Sequence, residues 1–245
     1  MDLSPAQWAV ATVAAVIVGG SKSGVPGAGI LAVAMFAGIF PAKVSTGALL
    51  PLLLVGDVLA VRMMHRHADW AQLWRIFPWT AIGVLMGVWV LAAVNNAQLR
   101  LIIGGLIVAM TLYQFAVRTL RRLPAVPGHS PVFAALMGIS SGITTMVANA
   151  AGPFTTLYLL AMRLGKLEFV GTTAWFYLVV NLFKVPFATS LGLITLDSLR
   201  VNLLLAPAVI VGAFLGRWLL HRIDQNMFEL VVLILALLGG LRLLF

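Results

Sequence analysis

The chain has 245 residues, of which 62% are hydrophobic and 9% charged, and its mean hydropathy is +1.06. Soluble domains carry roughly 25% charged residues, so a water-facing exterior is excluded and a lipid bilayer is the expected surrounding. The net charge of +9 does not indicate nucleic acid, because the basic residues lie in short loops between apolar runs and form no stripe with interleaved aromatics.

Residues 1–7 carry Asp2 and no Lys or Arg, so the first apolar run reads as part of the mature protein and not as a cleaved leader. That run, Trp8–Phe40, is broken in its middle by Gly and Pro. Three uninterrupted helices follow at about 44–64, 72–93 and 98–117. Residues 118–130 form a basic linker with Arg118, Arg121, Arg122, Pro124 and Pro127. The second half opens on another broken run, Pro131–Met162, and continues with helices at about 169–189, 198–220 and 226–244. The expected fold is therefore an all-α integral membrane protein. Two membrane repeats, 1–117 and 131–245, each combine a broken or re-entrant stretch with three transmembrane helices, and a cytoplasmic linker joins them. There is no cysteine, which excludes disulfides and thiolate chemistry.

The repetition is visible in fixed spacings. Gly19, Ser21 and Gly29 recur 123 positions later as Gly142, Thr144 and Gly152, and Gly47 and Asp57 recur 124 positions later as Gly171 and Asn181. The pattern Pro78, Gly83, Gly87, Trp89, Leu91 recurs as Pro207, Gly212, Gly216, Trp218, Leu220. Loop charge favours inverted repeats. With inverted halves, Arg62, Arg66, Arg75, Arg118, Arg121, Arg122, Arg163, Lys166, Arg217 and Arg222 face the cytoplasm, while Lys43, Arg100, Arg200 and Arg242 face out. That is ten against four; parallel halves give eight against six.

The first break reads Gly19-Gly-Ser21-Lys22-Ser23-Gly24-Val-Pro26-Gly27-Ala-Gly29. Backbone released from a helix survives at membrane depth only within protein or beside a watery cavity. Helix ends meeting there present unpaired N–H groups that suit an anion. Lys22 adds a charge, Ser21 and Ser23 add hydroxyls, and Gly24, Gly27 and Gly29 add accessible backbone. The plain alternative is close helix packing with Lys22 reaching an interface. The second break, Gly142 to Pro153, supplies Thr144, Thr145 and Asn149. The two threonines can equally bond back to their own helix. Asp57 is an acid in the middle of an expected span, its repeat counterpart is Asn181, and it is expected either to carry a coupled proton or to neutralise Lys22. Lys184 is a further candidate for drawing anions, although its place near a span end suits snorkelling as well. Lys22 is expected to matter more than Lys184.

Other signals are weak. Gly138-Ile-Ser140-Ser-Gly142 spells a hydrolase elbow but lies within an apolar helical run. His65, His67, His129 and His221 fall in loops or at span ends. The Gly83/Gly87 and Gly212/Gly216 pairs read as packing seams, within one protomer or between two, so the sequence allows a homodimer.

The sequence resembles the sulfite exporter TauE/SafE family of membrane permeases, the 4-toluene sulfonate uptake permease group. In the first half the resemblance rests on Gly20-Ser-Lys22-Ser-Gly24-Val-Pro26-Gly27-Ala-Gly29, Ser45-Thr-Gly47-Ala-Leu-Leu-Pro51 and Gly56-Asp57-Val-Leu-Ala-Val61. In the second it rests on Asn149-Ala-Ala-Gly152-Pro153, Leu157-Tyr-Leu-Leu-Ala161, Phe169-Val-Gly171-Thr-Thr-Ala-Trp175-Phe and Asn181-Leu-Phe-Lys184-Val-Pro186. Lys22 and Pro26 depart from the plain glycine cluster of many members. The resemblance implies a carrier of sulfite, organosulfonates or related small anions, often an exporter, without ATP hydrolysis. The expectation is a non-enzymatic secondary transporter in a bacterial inner membrane, without cofactor, that takes a small anion and a coupling ion such as a proton. A passive anion channel and a non-transport assembly protein are the alternatives.

Overall fold

The computed structural model describes residues 3–23, 28–120, 130–219 and 225–245. Gly24 and Gly27 of the first break lie outside the described residues, as do residues 121–129 of the linker and Arg222. Among the described residues there are ten α-helices, one 3-10 turn at His65–His67 and no strand.

The first broken run is α1 (Pro5–Ser23) followed by α2 (Gly29–Ile39). Then come α3 (Ala42–Met64), α4 (Trp70–Ala93) and α5 (Asn96–Leu120). The second broken run is α6 (Pro131–Ala148) and α7 (Gly152–Ala161), followed by α8 (Lys166–Ser190), α9 (Leu196–Leu219) and α10 (Gln225–Leu244). Local chemistry explains the starts. Asp69 caps α4 by accepting from the Ala71 and Gln72 amides. Asn95 with Gln98, and Thr195 with Ser198, form reciprocal caps that begin α5 and α9 about two residues before the apolar pattern does. Ser130 accepts from the Phe133 amide just ahead of Pro131, which occupies the first turn of α6.

Among the described residues, six helices are long and apolar enough to cross a bilayer: α3, α4, α5, α6, α8 and α9. Helix α6, the first arm of the second broken run, reaches this length by itself. Large apolar side chains such as Trp89, Leu203 and Phe214 point outward, which only lipid accommodates.

The main packing pairs each join a helix before the linker to one after it: α1 with α9, α4 with α6, α3 with α8 and α5 with α10. Exchanging the halves maps this set onto itself. Glycines set the closeness of two of these pairs. A Cβ on Gly19 would meet the Val209 carbonyl and one on Gly212 the Val16 backbone, while Gly83 abuts Ile139 and Gly142 abuts Thr80 and Val84. The seams thus lie within one protomer. Helices α3 and α8 run antiparallel along their length: Gly47 lies against Leu193, Asp57 against Asn181, and Gly171 against His67. Lys43 and Asn96 are joined at one end of the bundle, where Arg100 also donates to the Arg242 carbonyl. Thr172 accepts from the Asp69 amide at the other end.

Candidate functional site

Helices α1, α3, α6 and α8 bring a chain of polar side chains into the apolar interior. Lys22, in the last turn of α1, pairs with Asp57 of α3 at 2.7 Å. Its Nζ also lies 4.1 Å from the centroid of the Tyr177 ring, a cation–π distance. Asn181 of α8 donates from Nδ2 to Asp57 Oδ2 at 2.6 Å. Three residues further along α8, Lys184 donates to Asn181 Oδ1 at 3.2 Å, Asn149 Oδ1 at 2.6 Å and Thr145 Oγ1 at 3.2 Å. Asn149 in turn donates from Nδ2 to the Thr46 carbonyl, and Thr46 donates to the Val147 carbonyl. The network therefore links the end of α1 to the gap between α6 and α7. Both helix breaks take part, and the central pair α3 and α8 connects them.

Burial makes the charges consequential. The Lys22 side chain is 12% exposed, Asp57 not at all, and Lys184 1%. An unpaired buried ion costs several kcal/mol, so the partners of these groups decide what the site can do. Asp57 neutralises Lys22. Lys184 is hydrogen-bonded only to uncharged oxygens and reaches Asp57 through Asn181.

The amide orientations follow from the network. Asp57 Oδ2 and the Thr46 carbonyl only accept here, so they require the Nδ2 groups of Asn181 and Asn149 and turn both Oδ1 atoms toward Lys184. Three acceptors then surround one Nζ. An ammonium has one N–H for each of them.

Asn149 is held by its backbone as well. It terminates α6 in the left-handed conformation, φ 51° and ψ 33°, which asparagine tolerates better than other residues with a Cβ. In the structure it closes the preceding helix, and Gly152 and Pro153 open the next.

Other expected site residues are placed differently. Ser21 donates back to the Val18 carbonyl, and Thr144 to the Ser140 and Ser141 carbonyls. Ser23 donates to the Ala213 carbonyl across the α1–α9 seam. These hydroxyl protons serve helix packing. Gly29 begins α2, where an added Cβ would lie 3.5 Å from Ser21 Oγ. Lys184 does not snorkel: α8 continues past Pro186 to Ser190, which keeps the ammonium inside the bundle. The Ser140 elbow pattern lies within α6, in the middle of a helix.

Tyr177 and Thr46 were not anticipated. A signal for Tyr177 exists, because Tyr177, Asn181 and Lys184 follow helical spacing and share one face of α8. Thr46 acts mainly through its carbonyl, which no side-chain pattern announces.

The family model described as sulfite exporter TauE/SafE matches residues 11–243. No curated protein and no solved structure matches the chain.

Proposed function

The chain belongs to the sulfite exporter TauE/SafE family, whose members are multi-pass membrane permeases, and on that premise we propose that it is a secondary transporter exporting a small anion such as sulfite or an organosulfonate. The observation that carries this reading is the buried network joining the two helix breaks, with Lys184 held among neutral acceptors. A lone positive charge inside an apolar bundle is costly unless the protein's task is to receive a negative one.

In this reading Lys184 and Lys22 attract the anion. Thr145, Asn149 and Asn181 shape the site around Lys184, and Gly29 gives backbone access where α2 begins. Asp57 carries the coupled proton, because protonating it frees Lys22. The back-bonded hydroxyls of Ser21, Ser23 and Thr144 hold the broken ends in place.

The two halves, 1–117 and 131–245, act as inverted repeats joined by 118–130. The antiparallel course of α3 and α8, which are repeat counterparts, supports the inversion. So does the collection of Lys43, Arg100 and Arg242 at one end of the bundle. Short α2 and α7 pack back on α1 and α6, which favours re-entrant hairpins. Rocking of the halves about the α3–α8 contact then gives alternating access.

Counterflow in proteoliposomes tests the proposal. Unlabelled sulfite or methanesulfonate inside should accelerate uptake of labelled anion from outside. Flux without such trans-stimulation would mean a channel, and no flux of either anion would end the transport reading.

A further inference from the structure

The charge count of the cluster sets the valence of what it can hold. Lys22 and Lys184 contribute two positive charges and Asp57 one negative, all at or near full burial. One positive charge remains in excess, and it falls to Lys184, because Asp57 pairs with Lys22 and the hydrogen-bond partners of Lys184 are neutral. We infer that the site is matched to a singly charged oxyanion, such as a sulfonate or hydrogensulfite, and that it takes a dianion only together with a proton on Asp57. This deepens the transport reading and rests on it.

The reason is electrostatic balance in a medium that screens poorly. A monoanion against Lys184 brings the cluster to neutrality with Asp57 still ionised. A dianion would leave one negative charge buried and unpaired, which is costly. Adding one proton to Asp57 raises the excess to two and restores the balance. The proton goes to Asp57 Oδ1, from which Lys22 then withdraws, while Asn181 keeps its bond to Oδ2.

The groups facing Asp57 are few. Lys22 comes from α1; Asn181 comes from α8, with Tyr177 and Lys184 on the same helix. Helices α2 and α6 carry no ionisable residue, and those of α9 (Asp197, Arg200 and Arg217) lie toward its ends. On α5, Arg100 and Arg118 also lie toward the ends, and Tyr113 is exposed. Arg66 and His67 of the 3-10 turn are exposed at the end of the bundle. Among these, Asp57 is the acid that can take up the compensating proton.

The test compares methanesulfonate, a monoanion at every pH near neutral, with thiosulfate, a dianion over the same range. Binding to the purified full-length protein is measured by ligand-dependent thermal shift and calorimetry from pH 6 to 8. Methanesulfonate affinity should change less steeply with pH than thiosulfate affinity, because its binding needs no proton on Asp57. Thiosulfate affinity should fall up to about tenfold per pH unit as pH rises, because one proton accompanies each anion. In Asp57→Asn the thiosulfate dependence should flatten, and the preference for thiosulfate over methanesulfonate should rise at least tenfold. Thiosulfate binding that ignores pH in the wild-type protein overturns the inference even if Asp57→Asn fails to fold. A Lys184-dependent site that prefers thiosulfate throughout overturns it too, while leaving anion transport intact. Failure of both anions to bind removes the transport reading with it.

Discussion

Asp57 and Asn181 occupy equivalent positions in the two halves, 124 residues apart, and their side chains touch, with Asn181 Nδ2 donating to Asp57 Oδ2 at 2.6 Å. The helices that carry them are repeat counterparts, so the contact lies where the halves meet. The pairing is symmetric in position and asymmetric in charge. The amide donates to the carboxylate and still offers an oxygen to Lys184.

Asn181→Asp should therefore cancel the excess positive charge. The added carboxylate faces both Asp57 and Lys184, and the cluster becomes neutral. Affinity for methanesulfonate is expected to fall roughly tenfold or more, read from the loss of ligand-induced thermal stabilisation. Undiminished binding would show that the excess charge is not what holds the anion.

Lys184, whose partners are all neutral, is expected to matter more for anion binding than Lys22, the opposite of the order expected from the sequence. Lys184→Met should abolish anion-dependent stabilisation while lowering the unliganded melting temperature modestly, since only neutral acceptors lose a partner. Lys22→Met strands Asp57 as a buried, unpaired carboxylate, at a cost of about 3–5 kcal/mol. Adding Asp57→Asn to Lys22→Met should recover much of that loss in melting experiments. Equal melting of the single and double variants would contradict the ion pair.

Asn149 combines a backbone role with a ligand role, and Asn149→Gly separates them. Glycine accepts the left-handed conformation that ends α6, so the fold should survive. The 2.6 Å acceptor for Lys184 is lost. Anion affinity is expected to change by about tenfold, consistent with hydrogen bonds to charged groups, with far-ultraviolet circular dichroism unchanged.

The glycine seams should respond to a single methyl group. Gly19→Ala places a Cβ against the Val209 carbonyl and should cost about 1–3 kcal/mol by forcing α1 from α9. Gly105→Ala, where a Cβ meets nothing within 4 Å, should be neutral or stabilise α5 by about 0.5–1 kcal/mol. Melting of the two variants side by side checks both.

The chain has no cysteine, so single-cysteine labelling can test the inversion directly. Cysteines at Lys43 and Arg200 should react with an impermeant reagent from the periplasmic side, and one at Arg66 only from the cytoplasmic side. Labelling of positions 43 and 200 from opposite sides would refute inverted repeats.

Membrane residence, the helices and the two breaks were legible because their causes are local. Long apolar runs need lipid, and Gly, Pro and capping residues punctuate helices within a turn or two of themselves. The burial of Lys184 was not legible in this way. Counting from a span end made this lysine a residue that could reach an interface, whereas its burial depends on α6 ending at Asn149 within reach of the Lys184 side chain. Likewise, Ser21, Ser23 and Thr144 have the chemistry of ligands, and only helix geometry commits their protons to carbonyls. Asp57 was visible as an intramembrane acid, but its choice of Lys22 was decided by contacts between separate helices. Sequence patterns report what a residue can do. Which charge is neutralised and which is left in excess depends on distances of a few ångströms between segments far apart in the chain, and tertiary packing alone sets those.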